Sequence, residues 1–251
     1  MDELKKSFDL DFSNGLTGHA IRVDRTVELP HALRSLELDF PSPCLVLVGG
    51  ADRLDDSEMV HLRPVFVRVL ASLAEALNIS VVDGGTDAGV MRLMGEARGE
   101  VRAEFPLVGV AAASTVALPY AFSTPSGTSR LEPHHTHFVL VPGSRWGAEV
   151  PWLASVADVL SNGVPSVTVL VDGGDTAWAD VNLSIESGRP VIAVAGTGRA
   201  ADEIASTVSS SEGEEQGRKL AASGLVRVAT PSSGSEGLAE ILRGILSNSG
   251  G

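Results

Sequence analysis

Seven short apolar runs constrain this chain more than any other feature of it. They are CLVLV from Cys44, ISVV from Ile79, PLVGV from Pro106, THFVLV from Thr136, SVTVLV from Ser166, PVIAV from Pro190 and LVRVA from Leu225. They read as continuous Val/Leu/Ile stretches rather than alternating ones, as strands buried on both faces do. Most are separated by helical spacing, as in Val60 to Leu77, with apolar residues at Val65, Val69, Leu73 and Leu77, and again in Leu238 to Leu246. Strand alternating with helix gives right-handed crossovers and a sheet covered on both sides. The expected fold is therefore α/β, a doubly wound and mostly parallel sheet of about seven strands with helices on both faces. With 43% hydrophobic residues the chain can fill such a core.

The expected organisation is a single domain over residues 41–251, preceded by a polar extension over residues 1–40 that packs on the core. HAIRVDRTVEL, in that extension, would add an edge strand or hairpin. Ser114 to Glu132, with Pro119, Pro125 and Gly127, reads as a long loop of the kind that is functional or disordered. SSSEGEEQG, Ser209 to Gly217, reads as a solvated loop or helix start.

Charge and cysteine content exclude several classes. The net charge of −13, from 19 Lys+Arg against 32 Asp+Glu, argues against a nucleic-acid partner, because phosphate polymers require a basic face. No stretch approaches the ~18 apolar residues of a membrane span, and MDELKKSFDLDF lacks the order of a secretory signal. A cytoplasmic location is expected. With Cys44 as the single cysteine, neither an intramolecular disulfide nor a thiolate metal site is expected.

The glycines carry the functional signal. Gly49-Gly50, Gly84-Gly85, Gly143, Gly173-Gly174, and Gly196 with Gly198 each follow one of the apolar runs, at the carboxyl end of a predicted strand. Ligands of open parallel sheets bind at that edge, where the strand order reverses. A glycine turn lets a ligand approach the main chain, and the helix behind it offers unpaired N–H groups to an anion without any lysine. Thr86, Asp175, Thr176 and Thr197 are placed to cap those helices or to bond a ribose or phosphate. Ser144 lies in the Gly143 loop. Arg53, Arg92, Arg130, Arg145 and Arg199 lie in or just after these loops, and Arg145 and Arg199 are the nearest to the turn glycines for a bidentate phosphate clamp. Arg189 precedes a strand, on the opposite edge, and is read as structural. Any one Gly-Gly turn is more often tight packing than a ligand contact; five on one edge favour a nucleotide-type ligand.

The cluster HHTH, His134 to His137, would place His135 and His137 on one face, but a catalytic zinc needs a third ligand. A hydrogen-bonded cluster at a strand entry, lining the pocket, is the expected arrangement, and no metal is assigned. No G-x-S-x-G elbow is present, which argues against a serine hydrolase.

Four spaced motifs, GGTDAGVM (Gly84 to Met91), HTHFVLVPG (His135 to Gly143) with WGAE (Trp146 to Glu149), VPSVTVLVDGGDT (Val164 to Thr176) and AGTGRAADEIA (Ala195 to Ala205), together resemble the SLOG-type cytosolic domain of melastatin transient receptor potential channels, and most of all its prokaryotic stand-alone relative, LSDAT. The resemblance covers roughly Pro43 to Ala205. It implies a Rossmann-like fold whose glycine loops bind a nucleotide, in some members ADP-ribose, and sensing rather than catalysis. The implied ligand contacts are Gly49, Gly50, Gly84, Gly85, Thr86, Gly173, Gly174, Gly196, Gly198 and Arg199. Homo-oligomerisation is common in the superfamily. The helix after WGAE often carries arginines in the channels; VPWLASVADVL has none. The chain also resembles the Lonely guy phosphoribohydrolases through the strand-GG-x-(G)-T shape. Their motif includes a glutamate, where DGGDTAWAD has Ala179 and then Asp180. The alternative is therefore an N-glycosidic hydrolase of nucleotides using Asp83, Asp172, Asp175 or Asp180, and a third reading is an interaction module without a ligand.

Overall fold

The computed structural model describes residues 6–51, 54–121, 123–210, 215–230 and 234–247. The chain opens with a hairpin, β1 (Phe8–Asp11) and β2 (Thr17–Arg22), and the helix α1 (Leu29–Ser35). β3 (Cys44–Gly49) leads to α2 (Asp56–Val65), a π-helical turn (Phe66–Ala71) and α3 (Ser72–Ala76). β4 (Ser80–Asp83), α4 (Gly89–Val101) and β5 (Leu107–Ala112) follow. The short strands β6 (Val116–Ala117) and β7 (Ser129–Arg130) precede β8 (His137–Val141), α5 (Val150–Ser161), β9 (Ser166–Val171) and α6 (Asp175–Glu186). The chain closes with β10 (Val191–Val194), α7 (Arg199–Ser210), α8 (Glu215–Ala222), β11 (Val226–Ala229) and α9 (Gly234–Leu246).

Each of the seven apolar runs contains a strand, and all seven are parallel in one nine-stranded sheet of order β1-β2-β8-β5-β4-β3-β9-β10-β11. The two further strands come from the N-terminal segment: β2 runs parallel to β8, with His19 opposite His137, and β1 closes the edge antiparallel. From β3 the chain moves outward through β4, β5 and β8. It then returns to the other side of β3 with β9 and moves outward again. The reversal between β3 and β9 opens a crevice at their carboxyl ends.

Period-two alternation divides the sheet residues between two cores. Leu45, Leu47, Val81, Val167 and Val169 face α2, the π-turn, α4 and α9. Cys44, Val46, Val48, Val82 and Val139 face α1, α5, α6 and α7. The helix expected over Val60 to Leu77 is continuous but passes through the π-turn after Pro64, and an Asp55/Glu58 capping box starts it. A third, smaller core joins Leu10 and Ala20 to Phe138, Leu131 and Val116. The Ser114 to Glu132 loop thus holds a small parallel pair, β6 with β7, and an isolated bridge from Leu131 to Thr86. Of Ser209 to Gly217, residues 211–214 lie outside those described; α7 ends at Ser210 and α8 begins at Glu215. No helix among the described residues is long and apolar enough to cross a membrane.

Cys44 is fully buried, and burial pushes its thiol up to about 12. A thiol reagent at pH 8 should find no reactive cysteine in the native protein and the single one after denaturation. Stoichiometric labelling under native conditions would show that the strand is not packed as described.

Arg189, read as structural, is almost completely buried at the opposite edge. It ion-pairs with Asp158 and bonds Ser166 Oγ at 3.3 Å.

Candidate functional site

A cavity of about 750 Å³ opens at the carboxyl edge over the β3/β9 reversal. Its floor and walls include Gly49 and Gly50 after β3, Gly84 and Thr86 after β4, and Gly173, Gly174, Asp175 and Thr176 after β9. Arg199 of α7 completes this set. These are the loops that the glycine pattern points to, brought together because strand direction places every β-to-helix turn on one edge.

The remaining expected site residues lie elsewhere. Gly85, at φ +66°, sits against Gly109; a Cβ there would come 2.7 Å from Gly109 Cα, so the glycine serves strand packing. Gly143 packs on Ala112 and Ala148, and Ser144 and Arg145 are exposed outside the cavity lining. Thr197 is buried, donating to Val194 O at 2.6 Å and accepting from Asp172 N at 2.8 Å. The Gly196 and Gly198 N–H groups donate to the Asp202 carboxylate at 2.5 and 3.1 Å, so a side chain of the same loop already fills the anion position there. Arg53 lies outside the described residues.

The two Asp-Gly-Gly turns use one arrangement twice. In each, the aspartate at the strand's carboxyl end is buried and ion-paired to a cation distant in sequence. Asp172 receives Arg199 through Nε–Oδ1 at 2.8 Å and Nη2–Oδ2 at 2.5 Å. The pair occupies the space beside Gly50, where a Cβ would come 2.1 Å from Asp172 Oδ2. Arg199 therefore borders the cavity with part of its guanidinium committed to Asp172, rather than standing as an open clamp. Asp83 receives His135 through Nε2 at 2.8 Å, and the other ring nitrogen of His135 meets Glu132 at 2.8 Å. Glu132 also binds His134 Nδ1 at 2.6 Å. Burial opposes ionisation of Glu132, but the hydrogen bonds from His134 and His135 outweigh it and bring the carboxyl down to about 2. Burial likewise opposes charge on His135, yet Asp83 and Glu132 raise it to about 9, so the ring is an imidazolium donating from both nitrogens.

This cluster stands behind the turn, with Gly85 N donating to Asp83 Oδ1 at 2.7 Å, and none of its members lines the cavity. That corrects the expectation of a pocket-lining histidine cluster: the β8 entry turns His135 inward, while His137 lies beside His19, ring centroids 5.9 Å apart. Among the described residues no group of three or more His, Cys, Asp or Glu side chains is arranged to hold a metal.

α6 begins at the cavity wall from Gly174 with no side-chain cap. Its first turn offers N–H groups and the positive end of the helix dipole. α7, by contrast, has Ala200 N and Ala201 N engaged by the carbonyls of Gly173 and Asp172. Of these two helices, α6 is thus the better placed to hold an anion.

Part of the cavity was not singled out by the glycine pattern. Trp146, Gly147, Glu149, Trp178, Asp180 and Glu203 line it. Glu149 stands in the WGAE motif, and Trp178 two residues beyond Thr176, but no periodicity marks either as facing a ligand. Both Glu149 carboxylate oxygens lie 3.1 Å from Gly147 N, which fixes the group. Burial, reinforced by the charge of Glu149, pushes the Asp180 carboxyl up to about 7.

Known proteins carry related sequence and architecture. The family model described as SLOG in TRPM, prokaryote, matches residues 42–239. The transient receptor potential cation channel subfamily M member 2 of Rattus norvegicus is 26% identical over 203 residues, covering 67% of this chain. A member-like 2 protein of Nematostella vectensis is 25% identical over 218 residues, 72% of this chain. The chain corresponds to 13% and 14% of the length of these relatives. The X-ray structure of TM1055, a structural genomics target, shares the fold at a TM-score of 0.56 and 20% identity, covering 81% of this chain and 99% of that one. With the family model spanning most of the sequence, the chain belongs to the family described as SLOG in TRPM, prokaryote.

Proposed function

We propose that this protein is a nucleotide-binding sensor domain that takes an adenine nucleotide or an ADP-ribose-like molecule in the β3/β9 cavity. The observation that carries this reading is the cavity itself: large enough for a nucleotide, at the strand-order reversal, and lined by glycine backbone together with Trp146 and Trp178. The phosphate goes to the uncapped start of α6 at Gly174 to Thr176, with Arg199 beside it, and the base lies against a tryptophan. Membership of the family and the likeness to one segment of the channel proteins support the reading.

Thermal melting with AMP, ADP, ATP, NAD and ADP-ribose tests it. A ligand at a hundred times its dissociation constant stabilises by ~2.7 kcal/mol, a rise of roughly 5–10 °C for a domain of this size. A rise with the nucleotide recovered intact is the expected result; no rise with any of them overturns it.

A second reading, N-glycosidic hydrolysis, is favoured by one observation. Asp180 borders the cavity with a carboxyl that changes protonation near neutrality, as a general acid or base requires. Release of free base that Asp180→Asn abolishes would establish it, and intact nucleotide after prolonged incubation would end it.

A further inference from the structure

The charges of the cavity are unevenly shared. Its described lining holds the carboxylates of Glu149, Asp175, Asp180 and Glu203 and a single cation, Arg199, which is already bonded to Asp172. Glu149 and Asp180 both line the cavity, on elements that meet there. Gly147, whose N–H holds Glu149, packs against the first turn of α6, where a Cβ would touch Thr176 Cγ2 at 3.1 Å, and Asp180 follows on the same helix. Asp180 has no hydrogen-bond partner for its carboxyl among the described residues. Glu149 is oriented by one N–H and keeps acceptor capacity on both oxygens.

Ionised carboxylates only accept, and Asp180 is ionised above about pH 7, so above that pH the group the two residues read must donate. A ribose offers two adjacent hydroxyl donors, and an acidic side chain on the 2′-hydroxyl is the usual sugar contact of folds with this edge. We infer that Glu149 and Asp180 are the sugar-reading residues of the cavity, accepting the vicinal hydroxyls of a ribose and excluding ligands that carry a phosphate there. The inference rests on the nucleotide reading above. A 2′-phosphate beside Glu149 and Asp180 would meet two acidic groups, while Arg199, the one cation of the described lining, is bonded to Asp172, whereas hydrogen bonds from hydroxyls to ionised acceptors are the strong kind.

Calorimetric titration of the intact protein tests this, using AMP, 2′-deoxy-AMP, adenosine 2′,5′-bisphosphate and ADP-ribose. The wild type should bind 2′-deoxy-AMP about ten-fold or more weakly than AMP, the loss expected of a hydrogen bond to a charged group. It should bind the bisphosphate more weakly still. In Glu149→Gln/Asp180→Asn, with an unchanged circular dichroism spectrum, the ribose-to-deoxyribose gap should close to within about three-fold, and the bisphosphate should recover toward AMP. Equal binding of AMP and 2′-deoxy-AMP by the wild type overturns the inference and leaves the nucleotide reading standing. So does a gap that survives in the double variant. Failure of both AMP and ADP-ribose to bind the wild type is the separate outcome in which the nucleotide reading falls and takes the inference with it.

Discussion

Replacing His135 by alanine is expected to destabilise this protein by about 3–5 kcal/mol, because it breaks a buried ion network rather than deleting a surface charge. His135 is 1% exposed, Asp83 0% and Glu132 1%, and the imidazolium is what separates and neutralises the two carboxylates. Without it, two buried negative charges face one another, and Asp83 Oδ2, already without a hydrogen-bond partner among the described residues, loses the compensation on its neighbouring oxygen. At roughly 2–4 °C per kcal/mol for a domain of this size, the melting temperature should drop by roughly 6–20 °C. Calorimetry measures it, and a drop under about 2 °C would mean that the network contributes little. The loss should be much smaller when His135→Ala is made in an Asp83→Ala/Glu132→Ala background, since neighbours in one network do not add.

The same network gives the protein a pH signature. His135 is raised from 6.5 to about 9, so its stabilisation is fully present below about pH 6.5 and is lost as pH rises through about 9. Glu132 is lowered from 4.5 to about 2, so its contribution is present above about pH 4.5 and is lost as pH falls through about 2. The cluster therefore stabilises most between about pH 4.5 and 6.5. His135→Ala should flatten the alkaline limb of the melting-temperature profile.

A hydrogen-bonded histidine cluster at the β8 entry is legible in the sequence, but its partners Asp83 and Glu132 and its place behind the turn are not; the contrast with the sheet is a matter of range. A continuous Val/Leu/Ile run reports on both of its own faces, so β3, β4, β5, β8, β9, β10 and β11 are legible from local composition. β1 is not, and β2 is legible only as the edge strand or hairpin expected in HAIRVDRTVEL: FDLD and TGHAIR mix exposed and buried positions, β2 pairs with the edge of β8 and β1 with β2. That the glycine loops share one edge follows from strand direction, which is local. Which of their donors are free does not. Asp202 takes the amides of Gly196 and Gly198, and Asp172 takes Arg199 across 27 residues. Asp83 and His135 meet across 52 residues. The Trp146/Trp178 wall is likewise invisible until the loop after β8 and the first turns of α6 are brought to one cavity.

Gly89→Ala is the second change with a large expected effect, and its cause is backbone meeting backbone at the cavity floor. Gly89 opens α4 at φ +47°, in the left-handed region, where an alanine costs about 1–2 kcal/mol. A Cβ there would also stand 1.8 Å from Gly50 O and 2.8 Å from Ala51 Cα. Neither is a flexible side-chain tip, so the turn after β3 must move away from α4, breaking the Val90 N–H to Gly50 O bond of 3.1 Å and adding about 1–3 kcal/mol of overpacking. The sum is about 2–5 kcal/mol. Gly188→Ala separates the two terms, because Gly188 has φ +71° with nothing within 4 Å of the added carbon, and should lose only the conformational part, about 1–2 kcal/mol. Urea denaturation of both variants decides the matter. Equal losses would show that the contact between the β3 and β4 turns is soft. A clearly larger loss for Gly89→Ala, with weaker nucleotide binding in the surviving folded protein, is the expected outcome, since Gly49 and Gly50 form the cavity floor that the new carbon displaces.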